Sequence, residues 1–266
     1  MGTGCRVCYE SNRELILSPG ISQGFFFDIL QYMIPKVTKV GKFNITYLNK
    51  EEFKILRDEI FNKEIYKIDL KNEKPTIIDA GAHIGLTTMY FKQLYPNANI
   101  TCFEPNPNNI PFLEENIVMN NLKNVNIKDI ALGKKDCTRD FFIDSSGYGA
   151  FSTGSFRKNA WDGSQNSMNI EVNVEKLGKY LDREIDLIKM DIEGSEREVL
   201  KEIDSSGHLK NVKNMIIEYH PIRNHKIGEI LSILEKNNFE VEFRKENKVI
   251  KNPTEDLILV IAQKGV

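Results

Sequence analysis

Residues 77–85 read Ile-Ile-Asp-Ala-Gly-Ala-His-Ile-Gly, and this stretch decides the fold. Its first residues continue a short apolar run that starts at Thr76, and such a run is typical of a buried strand. Gly81 and Gly85 then precede an apolar stretch at residues 86–94, which predicts a helix. Glycine lets a backbone approach a ligand closely, and the first turn of a helix carries N–H groups without helical partners. The segment therefore predicts a strand, a tight ligand-binding turn and a helix.

The chain after residue 75 repeats this alternation of strand and helix. Such alternation is typical of a parallel sheet with helices on both faces. The last two strands are joined by a polar loop, which favours an antiparallel hairpin. The sequence therefore predicts an α/β fold with a Rossmann-like, doubly wound, mostly parallel sheet of seven strands and an antiparallel C-terminal hairpin. The predicted strands cover residues 76–80, 99–103, 125–132, 187–190, 215–217, 239–243 and 257–261.

The first part of the chain departs from this alternation. Residues 1–70 predict an N-terminal cap with helices at 25–34 and 51–61. Between the two helices, apolar and polar residues alternate at Phe43–Tyr47, which is the pattern of a half-buried strand.

The remainder, residues 71–266, forms the predicted ligand-binding domain. Within it, residues 133–186 interrupt the alternation and predict an insertion. We expect this insertion to lie over the carboxyl edge of the sheet, where ligands bind in doubly wound folds. It contains Gly147, Gly149, Gly154 and Gly163.

The composition excludes several classes of protein. The 266-residue chain is 41% hydrophobic and 28% charged, which argues against a disordered or collagen-like chain. Its 36 Lys and Arg nearly balance its 38 Asp and Glu, which argues against a protein that grips a long nucleic acid. No window approaches about 18 consecutive apolar residues, so the sequence predicts no membrane span. The sequence leaves the oligomeric state open.

The cysteines bear on the compartment. Cys5 and Cys8 form a C-x-x-C pair, but a structural zinc site normally needs a second pair, and the chain lacks one. Reduced thiols are typical of the cytosol, and the first residues lack the apolar run of a signal peptide. The sequence therefore predicts a cytoplasmic protein and leaves the role of the two cysteines open.

The second and third strands end in residues that suit a nucleoside. Glu104 ends the second strand, where a carboxylate can accept hydrogen bonds from both hydroxyls of a ribose. Asp129, Ile130 and Ala131 end the third strand, where an apolar wall with one acceptor suits adenine. Nicotinamide-dependent enzymes also bind ribose through such a carboxylate. Their G-x-G-x-x-G pattern does not fit this chain, because His83 replaces the middle glycine.

Ionisable residues end the fourth and fifth strands. Lys189 and Asp191 are disfavoured in a central strand unless they are paired or functional. Glu218 and His220 share a face, because strand side chains repeat every two residues. The four residues are candidates for a base or an orienting group. Asp191 with Glu218 could instead hold a divalent cation such as Mg²⁺, and a solvated ion pair is the alternative for Lys189 and Asp191.

Together these stretches resemble the FkbM family of S-adenosylmethionine-dependent methyltransferases. The D-x-G-x-x-x-G turn at residues 79–85 is similar to the first motif of class I methyltransferases. The more specific part is Lys-x-Asp-x-Glu-Gly at residues 189–194 together with Glu-Pro-Asn at 104–106. The chain departs from the family at His83, where asparagine is usual. The likeness begins at about Phe43 and also includes Tyr66, Asn116, Asn120, Asn121, Glu218, Tyr219 and His220.

The resemblance implies a class I methyltransferase that transfers the methyl group of S-adenosylmethionine to a hydroxyl of a small-molecule, sugar or natural-product acceptor. Methylation of a peptide side-chain nitrogen is the alternative, and a nicotinamide-dependent oxidoreductase, a nucleic-acid methyltransferase and a non-catalytic binding module are the rival classes. The residues expected to act in the chemistry are Lys189, Asp191, Glu218 and His220. The residues expected at the cofactor are Asp79, Gly81, Ala82, His83, Gly85, Thr87, Glu104, Pro105, Asn106, Asp129, Ile130, Ala131 and Asp191.

Overall fold

A computed structural model describes residues 34–144, 154–158, 167–220, 227–245, 248–250 and 258–265. Apart from its last residue, the predicted helix at 25–34 lies outside these ranges. The described part of the chain has no helix that is long and apolar enough to span a membrane. Also outside these ranges are Cys5, Cys8, Gly147, Gly149 and Gly163.

Helices and strands alternate over most of the described residues. The helices are α1 (Lys50–Arg57), α2 (Leu86–Leu94), α3 (Ile110–Met119), α4 (Glu196–Ser205) and α5 (Ile227–Lys236), and a π-helical turn, Asp58–Asn62, continues α1. The strands are β1 (Lys36–Val40), β2 (Phe43–Tyr47), β3 (Thr76–Ala80), β4 (Asn99–Phe103), β5 (Val125–Lys128), β6 (Ala131–Leu132), β7 (Cys137–Asp144), β8 (Gly154–Ser155), β9 (Ser167–Glu175), β10 (Leu187–Met190), β11 (Asn214–Tyr219), β12 (Phe239–Lys245), β13 (Lys248–Ile250) and β14 (Ile258–Lys264).

Eight of these described strands form one mixed sheet in the order β13-β12-β14-β11-β10-β3-β4-β5. The five strands from β11 to β5 are parallel neighbours, whereas β14 runs antiparallel to both β11 and β12. The predicted α/β fold is confirmed. The sheet has one strand more than we predicted, because part of the loop expected to be polar forms β13 and pairs with the end of β12.

The predicted third strand, at residues 125–132, is wrong as a single element. Its first half, β5, pairs with β4 in the main sheet, whereas its second half, β6, pairs with β9 in another sheet. The break falls at Asp129 and Ile130. It occurs because the chain leaves the main sheet to meet a strand of the insertion, which the local sequence pattern does not reveal.

The predicted insertion contributes β7, β8 and β9 to this second sheet, whose order is β6-β9-β7-β8. β7 and β9 pair antiparallel along their length and share a small apolar core with Ala131. The sheet touches the carboxyl edge of the main sheet, since the Ser155 hydroxyl donates to the Glu193 carbonyl at 3.0 Å. The structure therefore brings the insertion to the edge where we expected it.

The main sheet is covered on both faces, which explains its apolar strands. On one face, Ile77 packs with Met89 of α2 and with residues of the cap such as Phe53. On the other face, Ile78 packs with residues of α4 and α5 such as Leu200. Neighbouring residues of one strand thus enter opposite cores, as the two-residue repeat of a strand requires.

An asparagine of α3 and the asparagine that follows the helix join the β1–β2 hairpin to the sheet domain. The Asn116 side chain accepts from the Thr46 N–H at 2.7 Å and donates to the Ile84 carbonyl at 2.9 Å. The Asn120 side chain bonds both backbone groups of Asn44, at 2.8 and 2.7 Å. The hairpin is therefore fixed to the helix that packs behind the predicted cofactor turn.

Candidate active site

A cleft opens at the carboxyl ends of β4, β3, β10 and β11 and holds about 1060 Å³ of space, part of it open to solvent. The cap lines it with Glu52 and Tyr66, and the insertion lines it with Phe156. Of the residues predicted at the cofactor or in the chemistry, those that line it are Gly81, Ala82, His83, Thr87, Glu104, Pro105, Ile130, Ala131, Lys189, Asp191 and Glu218.

Gly81 is required by the close approach of the neighbouring strand end. Its φ is +78°, and a Cβ at this position would lie 1.7 Å from the carbonyl oxygen of Asp191. The N–H groups of Gly81 and Ala82 both donate to the Phe103 carbonyl, at 2.9 and 3.0 Å. The glycine thus serves the packing of β3 against the segment after β10, and these two N–H groups already have partners.

Gly85 has a different reason to be glycine. It precedes α2 with φ +93°, and a Cβ there would lie 2.8 Å from the Leu113 side chain. The residue therefore lets α2 and α3 pack closely, and it does not line the cleft.

Glu104 is buried, and its carboxylate is held by three donors. Oε2 accepts from the His83 N–H at 2.8 Å, and Oε1 accepts from the Asn106 N–H at 2.9 Å and from Asn109 Nδ2 at 3.2 Å. Burial raises the pKa of Glu104, while His83 and the three hydrogen bonds oppose that rise. A carboxylate has about four acceptor positions, so this one keeps capacity for a ribose hydroxyl in the cleft.

Besides Gly85, three of the predicted cofactor residues do not line the cleft. Asp79 is fully buried and accepts from the Thr88 hydroxyl at 2.7 Å. Asn106 is buried within the turn that holds Glu104. Asp129 is exposed at the break between β5 and β6. Direct contact with a cofactor stays a prediction for all three.

Lys189 is a buried ammonium surrounded by acceptors. Its Nζ donates to the Gly81 carbonyl at 2.8 Å and lies 3.6 Å from Asp79 and 3.5 Å from Asp191. Burial disfavours its charge, but Asp191 and Asp79 outweigh burial and raise the pKa of Lys189. A lysine held in the charged state cannot accept a proton, so the geometry favours an orienting role over that of a base.

Asp191 and Glu218 meet at the hydroxyl of Tyr66. The Tyr66 hydroxyl lies 2.5 Å from Glu218 Oε2 and 3.5 Å from Asp191 Oδ2. Burial, followed by the charge of Asp191, raises the pKa of Glu218 to about 8. Glu218 is therefore mainly protonated at neutral pH. Asp191 keeps 26% of its side chain exposed.

His220 does not line the cleft but lies behind it. Its Nδ1 is 3.1 Å from Glu196, and its Nε2 is 3.6 Å from Glu193 and 3.8 Å from Asp191. Burial disfavours the imidazolium, but the hydrogen bond to Glu196 and the charges of Glu193 and Asp191 raise the pKa of His220 well above its usual value. The residue is therefore a cation that supports Asp191.

Three ionisable residues at this edge lie close enough together to share a cation, and the predicted pairing of Asp191 with Glu218 around a metal stays a prediction. One ligand atom each of Asp191, Glu193 and His220 lies within 4.8 Å of the others. Glu218, the predicted partner of Asp191, lies outside this group and instead holds Tyr66. His220 would have to lose its proton before it could bind a metal.

Sequence reasoning missed two acids at the site. Glu52 of α1 lies 3.3 Å from His83, and Glu196 accepts from the Ile192 and Gly194 N–H groups at 3.2 and 3.0 Å. Glu196 comes two residues after the Lys-x-Asp-x-Glu-Gly motif at residues 189–194. Its short separation from this motif in the sequence was a usable signal. Glu52 carried no such signal, because only the tertiary fold brings the cap to the cofactor turn.

A buried acid after β4, a glycine turn after β3 and ionisable groups after β10 and β11 define a nucleoside-binding enzyme of the doubly wound class. The Methyltransferase FkbM domain matches residues 79–241, which is more than half of the chain. The chain therefore belongs to the FkbM methyltransferase family, and it is an S-adenosylmethionine-dependent methyltransferase. The resemblance seen in the sequence is confirmed.

Relatives agree with this assignment. Methyltransferase sdnD of Sordaria araneosa is 28% identical over 238 residues, covering 78% of this chain and 90% of the relative. Methyltransferase 1 of Beauveria bassiana (strain ARSEF 2860) is 26% identical over 205 residues, covering 70% and 82%. The solved Methyltransferase FkbM from Methylobacillus flagellatus KT is 15% identical with a TM-score of 0.45, and the match covers 71% of this chain but only 44% of that protein.

Replacing Glu104 tests the nucleoside site. We expect Glu104→Gln to weaken binding of S-adenosylhomocysteine by about 1–3 kcal/mol, because the hydrogen bonds from the ribose would lose a charged acceptor. Isothermal titration calorimetry measures this directly, with Glu114→Gln, an exposed acid on α3, as the matched control. Equal affinity of the two variants would remove Glu104 from the site, and binding of NAD in place of S-adenosylhomocysteine would contradict the cofactor.

Proposed function

We propose that the chain methylates a hydroxyl oxygen of a small-molecule, sugar or natural-product acceptor. The observation that carries this proposal is the accessible Asp191 carboxylate, which faces the cleft beside the cofactor turn with cations behind it. A hydroxyl is a weak nucleophile until its proton is removed, so a carboxylate base at this position would promote its methylation.

The order of residues along the sheet edge supports an orientation for the cofactor. Ile130 and Glu104 lie toward the β5 end, Gly81 follows on β3, and Asp191 and Glu218 follow on β10 and β11. Adenosine bound over Ile130 and Glu104 directs the sulfonium end of the cofactor toward Asp191 and Glu218. S-adenosylmethionine supplies an electrophilic methyl group on a sulfonium, so correct positioning provides much of the rate.

Asp191 and the residues around it have separate roles in the proposed reaction. Asp191 accepts the proton of the acceptor hydroxyl. Lys189 and His220 orient the Asp191 side chain, since Lys189 Nζ lies 3.5 Å from Oδ2 and His220 Nε2 lies 3.8 Å from Oδ1. Glu218 fixes the Tyr66 hydroxyl, which closes the cleft on the side of the cap.

The cleft is partly lined by apolar side chains, which favours an acceptor with an apolar body. Leu56 and Ile60 line it from α1 and the π-helical turn, and Phe156 lines it from the insertion. Phe156 is fixed by an edge contact with Phe141 at 5.4 Å and by Arg139 over its ring at 4.1 Å. A cleft with such walls suits a compact alcohol better than an extended peptide, although nitrogen methylation of a peptide side chain remains the alternative.

Transfer of a labelled methyl group tests the proposal. S-adenosylmethionine with a trideuterated methyl group is incubated with apolar alcohols, sugars and short peptides, and the products are analysed by mass spectrometry. We expect the label on the oxygen of an alcohol or sugar. The carbon-13 NMR chemical shift of the methyl group distinguishes attachment to oxygen from attachment to nitrogen. Label on peptide nitrogen alone would contradict oxygen methylation in favour of the alternative.

The same assay with a chelator separates the two roles left open for Asp191. As a base, Asp191 should act equally well with EDTA. If the chain instead requires Mg²⁺, activity should vanish with EDTA and return with added magnesium. That second result would replace the base by a metal site and leave oxygen methylation intact.

A further inference from the structure

Glu52 is an acid from the cap that reaches the cofactor turn. Only 5% of the residue is exposed, and its Oε1 lies 3.3 Å from Nε2 of His83. A buried carboxylate is costly unless a cation or hydrogen bonds compensate it. His83 can supply both, and it is the residue at which this chain departs from the family.

The helix that carries Glu52 is firmly anchored. The Asn49 side chain caps α1 by accepting from the Glu51 and Glu52 N–H groups, at 2.9 and 3.2 Å. The next residue, Phe53, stacks on Tyr47 with the ring centroids 3.9 Å apart. Glu52 is thus presented to the turn by a rigid element, which is what a positioning group requires.

The contact continues from His83 into the nucleoside site. His83 has a φ of +53°, a conformation that is strained for any residue with a Cβ. In this conformation its N–H points at Glu104 and donates to Oε2 at 2.8 Å. A side-chain contact that holds His83 in this conformation therefore also fixes one oxygen of the Glu104 carboxylate.

We propose that Glu52 is a positioning residue for the cofactor: through His83 it holds Glu104 in the geometry that binds the ribose. The cap is then part of the cofactor site, although it contributes no residue of the family's nucleoside-binding motifs. The direction of the His83 pKa agrees with this role. Burial lowers the pKa of His83, but the hydrogen bond to Glu52 and the charges of Glu52, Glu104 and Asp191 raise it.

Calorimetric titration with S-adenosylhomocysteine tests the proposal without any acceptor. We expect Glu52→Gln to weaken binding about 10-fold, because a charged hydrogen bond is replaced by a neutral one. The matched control is Glu51→Gln, since Glu51 is an exposed neighbour on the same helix that pairs with Lys54. This control should bind within twofold of the unmodified chain.

A rescue distinguishes positioning from general damage to the fold. His83→Asn alone removes the imidazole that lies 3.3 Å from Glu52 and should also weaken binding about 10-fold. The double variant E52Q/H83N pairs two neutral amides, and we expect it to recover to within threefold of the unmodified chain. Melting temperatures without ligand show which variants fold.

Two results would overturn the proposal. One is Glu52→Gln binding as well as Glu51→Gln. The other is a double variant in which the two losses add, because the side chains would then act separately. Neither result bears on oxygen methylation, since the titration contains no acceptor.

Discussion

Asp191→Asn should cut turnover by about 10²–10⁴ while the affinity for S-adenosylhomocysteine stays nearly unchanged. That range is typical of a lost acid–base group. The amide keeps the shape of the side chain but cannot accept the proton of an acceptor hydroxyl. The backbone of residue 191, against which Gly81 packs, is unaffected. Single-turnover kinetics with labelled methyl donor and calorimetry measure the two quantities separately.

The matched control for this variant is Asp182→Asn, because Asp182 is an exposed acid paired only locally, with Arg183. It should retain full turnover. A fully active Asp191→Asn enzyme would exclude Asp191 both as base and as metal ligand, leaving it a structural acid at the strand end. A parallel loss of cofactor affinity would instead assign Asp191 to cofactor binding.

Gly81→Ala should lower the free energy of unfolding by about 3 kcal/mol or more and abolish cofactor binding. Two costs add here. An alanine at φ +78° is strained by about 1–2 kcal/mol, and its Cβ would also meet the Asp191 carbonyl oxygen at 1.7 Å, so β3 and the segment after β10 must separate. Urea unfolding and titration with S-adenosylhomocysteine measure the two effects.

Gly207→Ala isolates the first cost, the backbone strain. Gly207 has a similar φ of +73°, but no atom lies within 4 Å of a Cβ built there. This control should lose only the strain of about 1–2 kcal/mol and should bind the cofactor normally. If both variants lose the same stability, the close approach at Gly81 contributes nothing.

The parallel core could be predicted from the sequence because its strands are buried on both faces. A short, mostly apolar run such as Leu187–Met190 is typical of a strand that is buried on both faces, and β3, β4 and β10 match their predicted bounds. The C-terminal strands were also recognised. β13 was missed because Lys248–Ile250 is an exposed edge strand whose pairing depends on β12 rather than on its own composition.

The candidate site was predictable only where its residues end a strand. Glu104, Asp191 and Glu218 line the cleft because the carboxyl ends of parallel strands share one edge. Side-chain partners were only partly predictable: His220 lies 3.8 Å from Asp191, but its hydrogen-bond partner is Glu196 of α4, which the sequence did not assign to the site. The contact between Glu52 and His83 could not be predicted either, since no local sequence pattern encodes a contact between the cap and the cofactor turn.

The position of β14 affects how the sheet is completed during biosynthesis. β14 is the last described strand in the chain, yet it lies between β11 and β12. A ribosome-bound chain can therefore pair β3, β4, β5, β10 and β11 before β14 is synthesised. During that time β12 has been synthesised but cannot join the sheet, because β14 lies between it and β11. The edge of β11 stays open until that moment, and open edges invite mispairing. All the cleft acids precede β14, so the catalytic centre is synthesised before the sheet behind it can close.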